Sequence, residues 1–353
     1  MANYISFQPS DYFSTNLYTG TGATHNVTGV GFQPDWVWMK RRDGTSSHRL
    51  CDSVRGATNL LQSNATDAQQ TDANTLTSFD SDGFTLGSDS APYNVNVSGQ
   101  TMVSWNWKAG TTSGLSGGTI TPSAYSFNTT SGFSMVKYTG NSTQGATVPH
   151  GLGVAPKFIF IKATNATESW ATGQGSMDSS PWDYYMYLNS TAARGQNNNR
   201  FANVSPTSTV FSIGSDASVN NSSYTYVAYC FAPKKGFSAF GSYRGNGNTD
   251  GAFVYTGFRP ALVITKYASG GGTGGWNIQD NKRNTYNPVT TILSVNTDGA
   301  DSSSSGNAMD FLSNGFKWRA DYSDGNTSGG VFIYAAFAEF PVVSSNSKAG
   351  TAR

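Results

Sequence analysis

The stretch "GFQPDWVWMK" at residues 31–40 recurs twice, as "GVAPKFIFIK" at 153–162 and as "GFRPALVITK" at 257–266. Each copy begins with a glycine, has a proline three residues later, continues through apolar positions and closes on a lysine. Proline fixes its own φ and pushes the preceding residue into an extended conformation, so the pattern predicts a bend that leads into a β-strand. Both alternating sides of this strand are apolar, which predicts a central strand that is covered on both faces.

The similarity between the three copies extends well beyond this stretch. From Pro34 to Trp107, from Pro156 to Phe231 and from Pro260 to Phe337 the separations are 73, 75 and 77 residues. The period of about 105 to 120 residues is too long for a stacking solenoid repeat and suits a domain with its own core. The sequence therefore predicts tandem domains that superpose strand for strand, with the three prolines at equivalent bends.

Each copy has the pattern of an all-β domain. Short runs of aromatic and β-branched residues alternate with turn signals such as "RDGT" and "SDGF", and no long helical periodicity is visible. We predict three tandem antiparallel β-sandwich domains of jelly-roll type, at residues 1–110, 123–233 and 234–353, the last with a C-terminal tail. A Gly/Ser/Thr linker at 111–122 is expected to be flexible. The second junction is short, so the second and third domains are expected to pack closely.

The composition describes an uncharged polar surface. Charged residues make up 12% of the chain, with 22 Lys and Arg against 21 Asp and Glu. No basic run suits nucleic acid and no apolar run suits membrane insertion. The N-terminus lacks the features of a signal peptide, so we expect the chain to be made and kept in the cytoplasm. Cys51 and Cys230 lie in unlike contexts and are expected to be reduced, buried thiols.

The sequence offers few candidates for chemistry. Its three histidines fall in no metal-binding or nucleophile motif, and His150 precedes the second proline bend, where it is expected to cap a turn or to be half-buried. Asp52 and Asp280 occupy matching positions in two copies, which favours a structural role over a catalytic pair. We therefore predict no catalytic residue, no cofactor and no metal site.

Aromatic residues are expected mainly in the cores. Candidate surface contacts are Trp182 and Tyr184, in "SSPWDYYMY" at 179–187, and Trp276, at the tip of a glycine-rich hairpin. Exposed rings of this kind can stack on the CH groups of sugars, while nearby amides bind the hydroxyls. Strand packing is the alternative interpretation for the same side chains.

Several long blocks of the chain resemble a known family. These blocks include "YTGTGATHNVTGVGFQPDWVWMKRRDGT" from residue 18, "SWNWKAG" from 104, "VAYCFAP" from 227 and "FGSYRGNGNTDGAFVYTGFRPALVITK" from 240. In this order they resemble the virion structural proteins of marine bacteriophages, often labelled tail-fibre-like or receptor-binding. The resemblance covers about residues 4–340. It implies a component of the phage particle, assembled in the host cytoplasm beside other virion proteins, with no catalytic residues to transfer.

Three functions remain open at this point. The leading hypothesis is a non-enzymatic tail fibre or adhesin that contacts a glycan or receptor on the host surface. A head-decoration or tail-connector protein is the alternative, and a polysaccharide-degrading tailspike is a third. The second apolar face of each central strand could be covered by a loop, by the next domain or by another copy of the chain. The resemblance to fibrous phage proteins favours a homotrimer.

Overall fold

The computed structural model describes residues 5–88 and 93–339, so the predicted C-terminal tail beyond 339 lies outside the described residues. The all-β class is confirmed, and within these two ranges each third of the chain supplies nine strands. Unit 1 comprises β1 (Phe13–Thr19), β2 (His25–Thr28), β3 (Trp36–Arg41), β4 (Arg49–Asp52), β5 (Asn59–Leu60), β6 (Gln70–Thr71), β7 (Leu76–Asp80), β8 (Gly83–Leu86) and β9 (Thr101–Trp107). Unit 2 comprises β10 (Ala124–Asn128), β11 (Phe133–Thr139), β12 (Ala146–Pro149), β13 (Phe158–Ala163), β14 (Ala171–Gln174), β15 (Tyr184–Tyr187), β16 (Gly195–Gln196), β17 (Val210–Ile213) and β18 (Thr225–Phe231).

Unit 3 repeats the order of unit 1. It comprises β19 (Ser238–Arg244), β20 (Phe253–Tyr255), β21 (Leu262–Ser269), β22 (Trp276–Asp280), β23 (Thr291–Ser294), β24 (Ser302–Ser303), β25 (Met309–Leu312), β26 (Gly315–Trp318) and β27 (Val331–Phe337). The helices are short: α1 (Ala217–Asn220), α2 (Ser323–Asn326) and the 3-10 turns Pro9–Asp11, Pro181–Asp183 and Ser305–Asn307. None of the helices in the described ranges is long and apolar enough to cross a membrane.

The three units share one sheet topology, and all their strand pairs are antiparallel. The large sheets contain the orders β1-β9-β3-β4, β11-β18-β13-β14 and β19-β27-β21-β22. The facing small sheets are β2-β8-β7, β12-β17 and β20-β26-β25. Pro34, Pro156 and Pro260 each lie two residues before the equivalent strands β3, β13 and β21. The predicted equivalence of the three proline bends is therefore confirmed.

The alternation of side chains along β3 explains why both of its faces are apolar. Trp36 and Trp38 point into a core that all three units share, whereas Val37 and Met39 point into the core between the two sheets of unit 1. The equivalent strands β13 and β21 divide their side chains in the same way. The second face is therefore covered by the other two units of the same chain.

The shared core lies where the three large sheets meet. Equivalent rings of the three units contact one another at its centre, with centroid distances of 6.3 Å for Trp107–Phe231, 5.6 Å for Phe231–Phe337 and 5.5 Å for Trp107–Phe337. The space left between these rings and their neighbours has no room for a water molecule. One chain thus builds a pseudo-threefold arrangement around a closely packed aromatic axis.

The units close into a ring because each junction carries the same pair of backbone hydrogen bonds. A loop of one unit pairs with the equivalent hairpin of the next unit, which is β3–β4 in unit 1, β13–β14 in unit 2 and β21–β22 in unit 3, and unit 3 pairs with unit 1. The donor-to-acceptor pairs are Glu168 to Thr66, Gln69 to Thr164, Gly274 to Thr191, Arg194 to Ala268, Ser46 to Asp298 and Asp301 to Arg42, at 2.8–3.0 Å.

A ring N–H at the start of the equivalent strands β4, β14 and β22 also repeats around the axis. The three bonds run from Trp170 Nε1 to Gln62 O, from Trp276 Nε1 to Tyr187 O and from His48 Nε2 to Ser294 O, at 2.8, 2.9 and 3.0 Å. Each crosses a different junction, so the same contact is made by tryptophan at two junctions and by histidine at the third.

The linker at 111–122 is attached to unit 2. Ile120 is buried in the unit 2 core, and the N–H of Thr119 donates to Thr147 O of β12 at 3.1 Å. The backbone of the linker covers the edge of the small sheet here, because the N–H groups of Thr119 and Ile120 both donate to Thr147 O of β12.

Candidate functional site

The lysine that closes each copy of the opening motif lies at a junction between units. Lys40, Lys162 and Lys266 are all buried. The Lys162 ammonium donates to Thr66 O of unit 1 at 3.1 Å, and the Lys266 ammonium donates to Ala192 O of unit 2 at 2.7 Å. Burial lowers the pKa of Lys40 and Lys162 to about 8 and that of Lys266 to about 7. The Lys162 and Lys266 ammonium groups therefore bind backbone carbonyls of a neighbouring unit, whereas that of Lys40 donates to Arg41 O of its own unit at 2.7 Å.

Two of the three histidines are buried, each held as one neutral tautomer. Trp38 Nε1–H donates to His48 Nδ1 at 2.8 Å, so the ring proton lies on Nε2. In the same way the N–H of Leu152 donates to His150 Nδ1 at 3.2 Å, and Nε2 donates to Thr207 O. The predicted turn-capping role of His150 is therefore what the structure shows. Burial lowers the pKa of His48 well below its usual value and that of His150 to about 4.

The two histidines should make the protein sensitive to acid. Their lowered folded-state pKa means that, between pH 6.5 and about 4, the unfolded chain takes up protons that the folded chain does not. Stability is therefore expected to fall as the pH drops through this window. Urea unfolding at pH 7, 5.5 and 4.5 measures the effect, and replacing His150 by glutamine should flatten it. Equal stability at the three pH values would contradict the assignment.

The duplicated aspartates form buried ion pairs. Asp52 pairs with Arg55 Nε at 2.5 Å and Asp280 with Arg283 Nε at 2.6 Å, and all four side chains are enclosed. Asp52 also accepts from the Tyr229 hydroxyl of unit 2 at 2.6 Å. The carboxylates are fully engaged and inaccessible, as their duplication led us to expect.

Both cysteines are free and buried, as predicted. Cys51 belongs to the core between the sheets of unit 1 and Cys230 to that of unit 2, so they lie in separate cores. Burial raises the pKa of the Cys51 thiol to about 12, and it raises that of Cys230 further. Neither thiol is a reactive nucleophile at neutral pH.

The surface contacts predicted for Trp182 and Trp276 are wrong. Trp276 is 1% exposed, because the glycines before it form the hairpin tip and the tryptophan itself begins β22 inside the shared core. Trp182 is 4% exposed and packs edge-on against Phe201. Tyr184 is half-buried, with the Arg194 guanidinium 4.5 Å from its ring centroid. Tyr184 alone of the three retains some access to solvent.

Two clefts open at the junctions between units. A cleft of about 610 Å³ lies between units 1 and 2, and one of about 470 Å³ lies between units 2 and 3. In the first, Asp35 already accepts from Ser53 Oγ and from the N–H of Ala109, both at 2.8 Å. In the second, Asp178 is paired with Arg194. The carboxylates of both clefts are therefore bound within the protein.

Exposed aromatic residues collect around the small sheet of unit 3. Among the large apolar side chains exposed in the described ranges, the aromatic ones are Phe253 (47% exposed), Tyr255 (66%) and Tyr286 (84%). Phe253 and Tyr255 flank the buried Val254 on β20. Tyr286 precedes Asn287, which bonds to Phe311 O on the opposite edge strand β25. This surface was not anticipated from the sequence, although "FVY" occupies the place of "NVT" in the first copy.

The described ranges contain no assembled set of metal ligands. Residues 5–88 and 93–339 contain no group of three or more His, Cys, Asp or Glu placed to hold an ion. The remaining candidate site is therefore the exposed aromatic surface of unit 3.

Comparison with known proteins assigns the chain to a family. A family model described as a domain of unknown function, DUF7483, matches residues 8–341. The matched region contains all three units, so the family is defined on the whole ring and not on one repeat. No curated protein and no solved structure matched the chain. The chain belongs to the DUF7483 family.

Proposed function

We propose that this protein is a non-enzymatic structural component of a bacteriophage virion, a tail fibre or adhesin that contacts the host surface. The proposal rests on the contrast between an interior that is closed and repeats in all three units and an exposed aromatic surface that is specific to one unit. The three units use equivalent positions for the same internal bonds, whereas the exposed aromatic rings among residues 5–88 and 93–339 all belong to unit 3. A rigid scaffold that presents one specialised surface suits display and binding.

The chemistry of the candidate residues supports a binding protein over an enzyme. A catalytic group has to reach its substrate, but His48, Asp52 and Asp280 are enclosed and already bonded. The nearly neutral composition supports partners other than nucleic acid or a membrane interior. On this proposal the protein is assembled in the host cytoplasm, is exposed on the particle and contacts other virion proteins.

Two binding experiments test this function. Antibodies against the purified protein should label particles of the phage that encodes it, and the purified protein should bind intact envelopes of the host. Binding to the particle alone would favour head decoration or a tail connector. Release of sugars from host polysaccharide would favour a tailspike enzyme. Absence of the protein from the particle would overturn the proposal.

The homotrimer is a separate proposal that now rests on the family resemblance alone. The apolar face that motivated self-association is covered by the other two units of the same chain. A homotrimer would have to form through the outer surfaces. Light scattering decides this point: a mass of 37.5 kDa, that of one chain, refutes the trimer, and three times this mass supports it.

A further inference from the structure

The outward side of β20 carries two aromatic rings that the fold does not need. Val254, between them, pairs with Phe316 inside unit 3. In unit 1 the same buried pair is Val27 with Phe84, and its outward neighbours are the exposed polar residues Asn26 and Thr28. Phe253 and Tyr255 occupy these two register positions in unit 3. The same architecture therefore forms with polar residues here, and the rings add exposed apolar surface without completing a core.

In unit 2 the linker covers the equivalent strand edge. The equivalent positions on β12 are Thr147 and Pro149, and the linker residue Thr119 bonds to the backbone of Thr147. Pro149 is buried. In unit 3 the rings at these positions remain exposed, so nothing in the described part of the chain takes the place of the linker.

Tyr255 has no side chain opposite it on β26. Its cross-strand partner is Gly315, where a Cβ atom would lie 2.1 Å from Val254 O. The equivalent Gly83 of unit 1 has the same close approach, at 2.0 Å from Val27 O. The glycine is thus required by the backbone, and in unit 3 it is buried, with the Phe253 ring lying against it: Cε2 is 3.1 Å from the position of such a Cβ.

The charges around the rings are neutralised in pairs. Lys317, directly across from Phe253, pairs with Asp250 at 2.6 Å, and Arg319 pairs with Asp310 at 2.9 Å. Two cations and two anions leave no net charge for an ionic ligand. They do place hydrogen-bonding groups beside the rings, which matches an uncharged molecule with hydroxyl groups and an apolar face.

The size of the surface points to a small ligand. Two partly exposed aromatic side chains offer roughly 200 Å², whereas a stable protein complex needs about 800 Å² from each partner. Rings on alternate residues of a strand lie about 7 Å apart, which is the span of one or two sugar residues. A second copy of the chain or another protein would need a larger contact area than this strand provides.

We infer that the outer face of β20 binds a neutral saccharide, with Phe253 and Tyr255 stacking on its sugar rings and the Lys317–Asp250 pair hydrogen bonding to its hydroxyls. The inference builds on the proposed host-surface function and names the class of ligand. Stacking on π faces and hydrogen bonding by paired charges together recognise a sugar ring without requiring it to be charged.

The matched variant transfers the residues of unit 1 to unit 3. The full-length Phe253→Asn/Tyr255→Thr variant carries side chains that this architecture already accommodates, so it should unfold at the same temperature as the wild type. On an array of neutral hexose and N-acetylhexosamine oligomers, the wild type should bind at least one glycan, and the variant should bind it at least tenfold more weakly. The control Tyr286→Ser, in a loop outside β20, should bind like the wild type.

The other outcomes overturn either the saccharide inference or the proposed function, and they distinguish the two. Equal binding by the wild type and the double variant, or no neutral glycan bound by the wild type, would refute it. A dimeric wild type that becomes monomeric on the double substitution would identify a second copy as the occupant. Failure on the array with retained binding to host envelopes would refute the saccharide and leave the proposed function standing. If the protein binds a glycan but is absent from the particle, the saccharide inference stands and the proposed virion function is refuted.

Discussion

Replacing Asp52 by alanine is expected to lower the free energy of unfolding by about 3–5 kcal/mol. The substitution leaves the Arg55 guanidinium enclosed without its carboxylate, and the Tyr229 hydroxyl of unit 2 loses its acceptor. An uncompensated buried charge is among the most destabilising changes a fold can receive. Urea unfolding at neutral pH measures the loss.

A double substitution distinguishes the cost of leaving Arg55 unpaired from the net contribution of the Asp52–Arg55 pair to stability. Asp52→Leu/Arg55→Met removes both charges at similar volume and should recover the part of the loss that comes from the unpaired Arg55 charge, while the Tyr229 hydroxyl still lacks its acceptor. Asp250→Ala, which breaks an exposed pair with Lys317, should change stability little because the partners are solvated. If Asp52→Ala were as mild as Asp250→Ala, the pair would not be enclosed as described.

Replacing Trp36 by alanine is expected to cost about 3–5 kcal/mol, because it opens a cavity in the shared core. The ring centroid lies 4.5 Å from that of Trp107 in its own unit and 4.7 Å from that of Tyr229 in unit 2. The effect should therefore extend beyond unit 1. Thermal and urea unfolding of the variant measure it.

The conservative variant Trp36→Phe provides the control. The indole N–H of Trp36 has no hydrogen-bond acceptor among the described residues, so phenylalanine loses no bond and keeps a ring in the core. It should cost much less than alanine. Equal losses for the two variants would mean that ring packing is not what Trp36 contributes.

The local pattern predicts the strands well because it follows from backbone periodicity. The alternation of Trp36 and Trp38 with Val37 and Met39 indicates a strand covered on both faces, and the structure has such a strand. What covers the second face depends on contacts between residues about a hundred positions apart, which no local pattern encodes. The constant proline-to-aromatic spacing predicts equivalent units but does not state that they close around an axis.

The aromatic residues are misassigned for the same reason: their burial depends on contacts with residues that are distant in the sequence. Trp276 follows a run of glycines and looks like a loop tip, yet it begins a strand whose ring fills the shared core. In "FVY" the larger apolar residues are expected inside, but pairing across β26 places Val254 inside and Phe253 and Tyr255 outside. Strand register, set by the partner strand, decides which side of an alternating pattern faces the solvent.

Hydrogen exchange of the three central strands tests the closed ring most directly. β9, β18 and β27 are equivalent, and each sends side chains into the shared core. If that core joins the units, the slowest amides of the three strands should exchange through one global opening, with the same free energy and the same dependence on added urea. Three different opening free energies, with one unit exchanging while the others stay protected, would show that the repeats are independent domains and would contradict the ring.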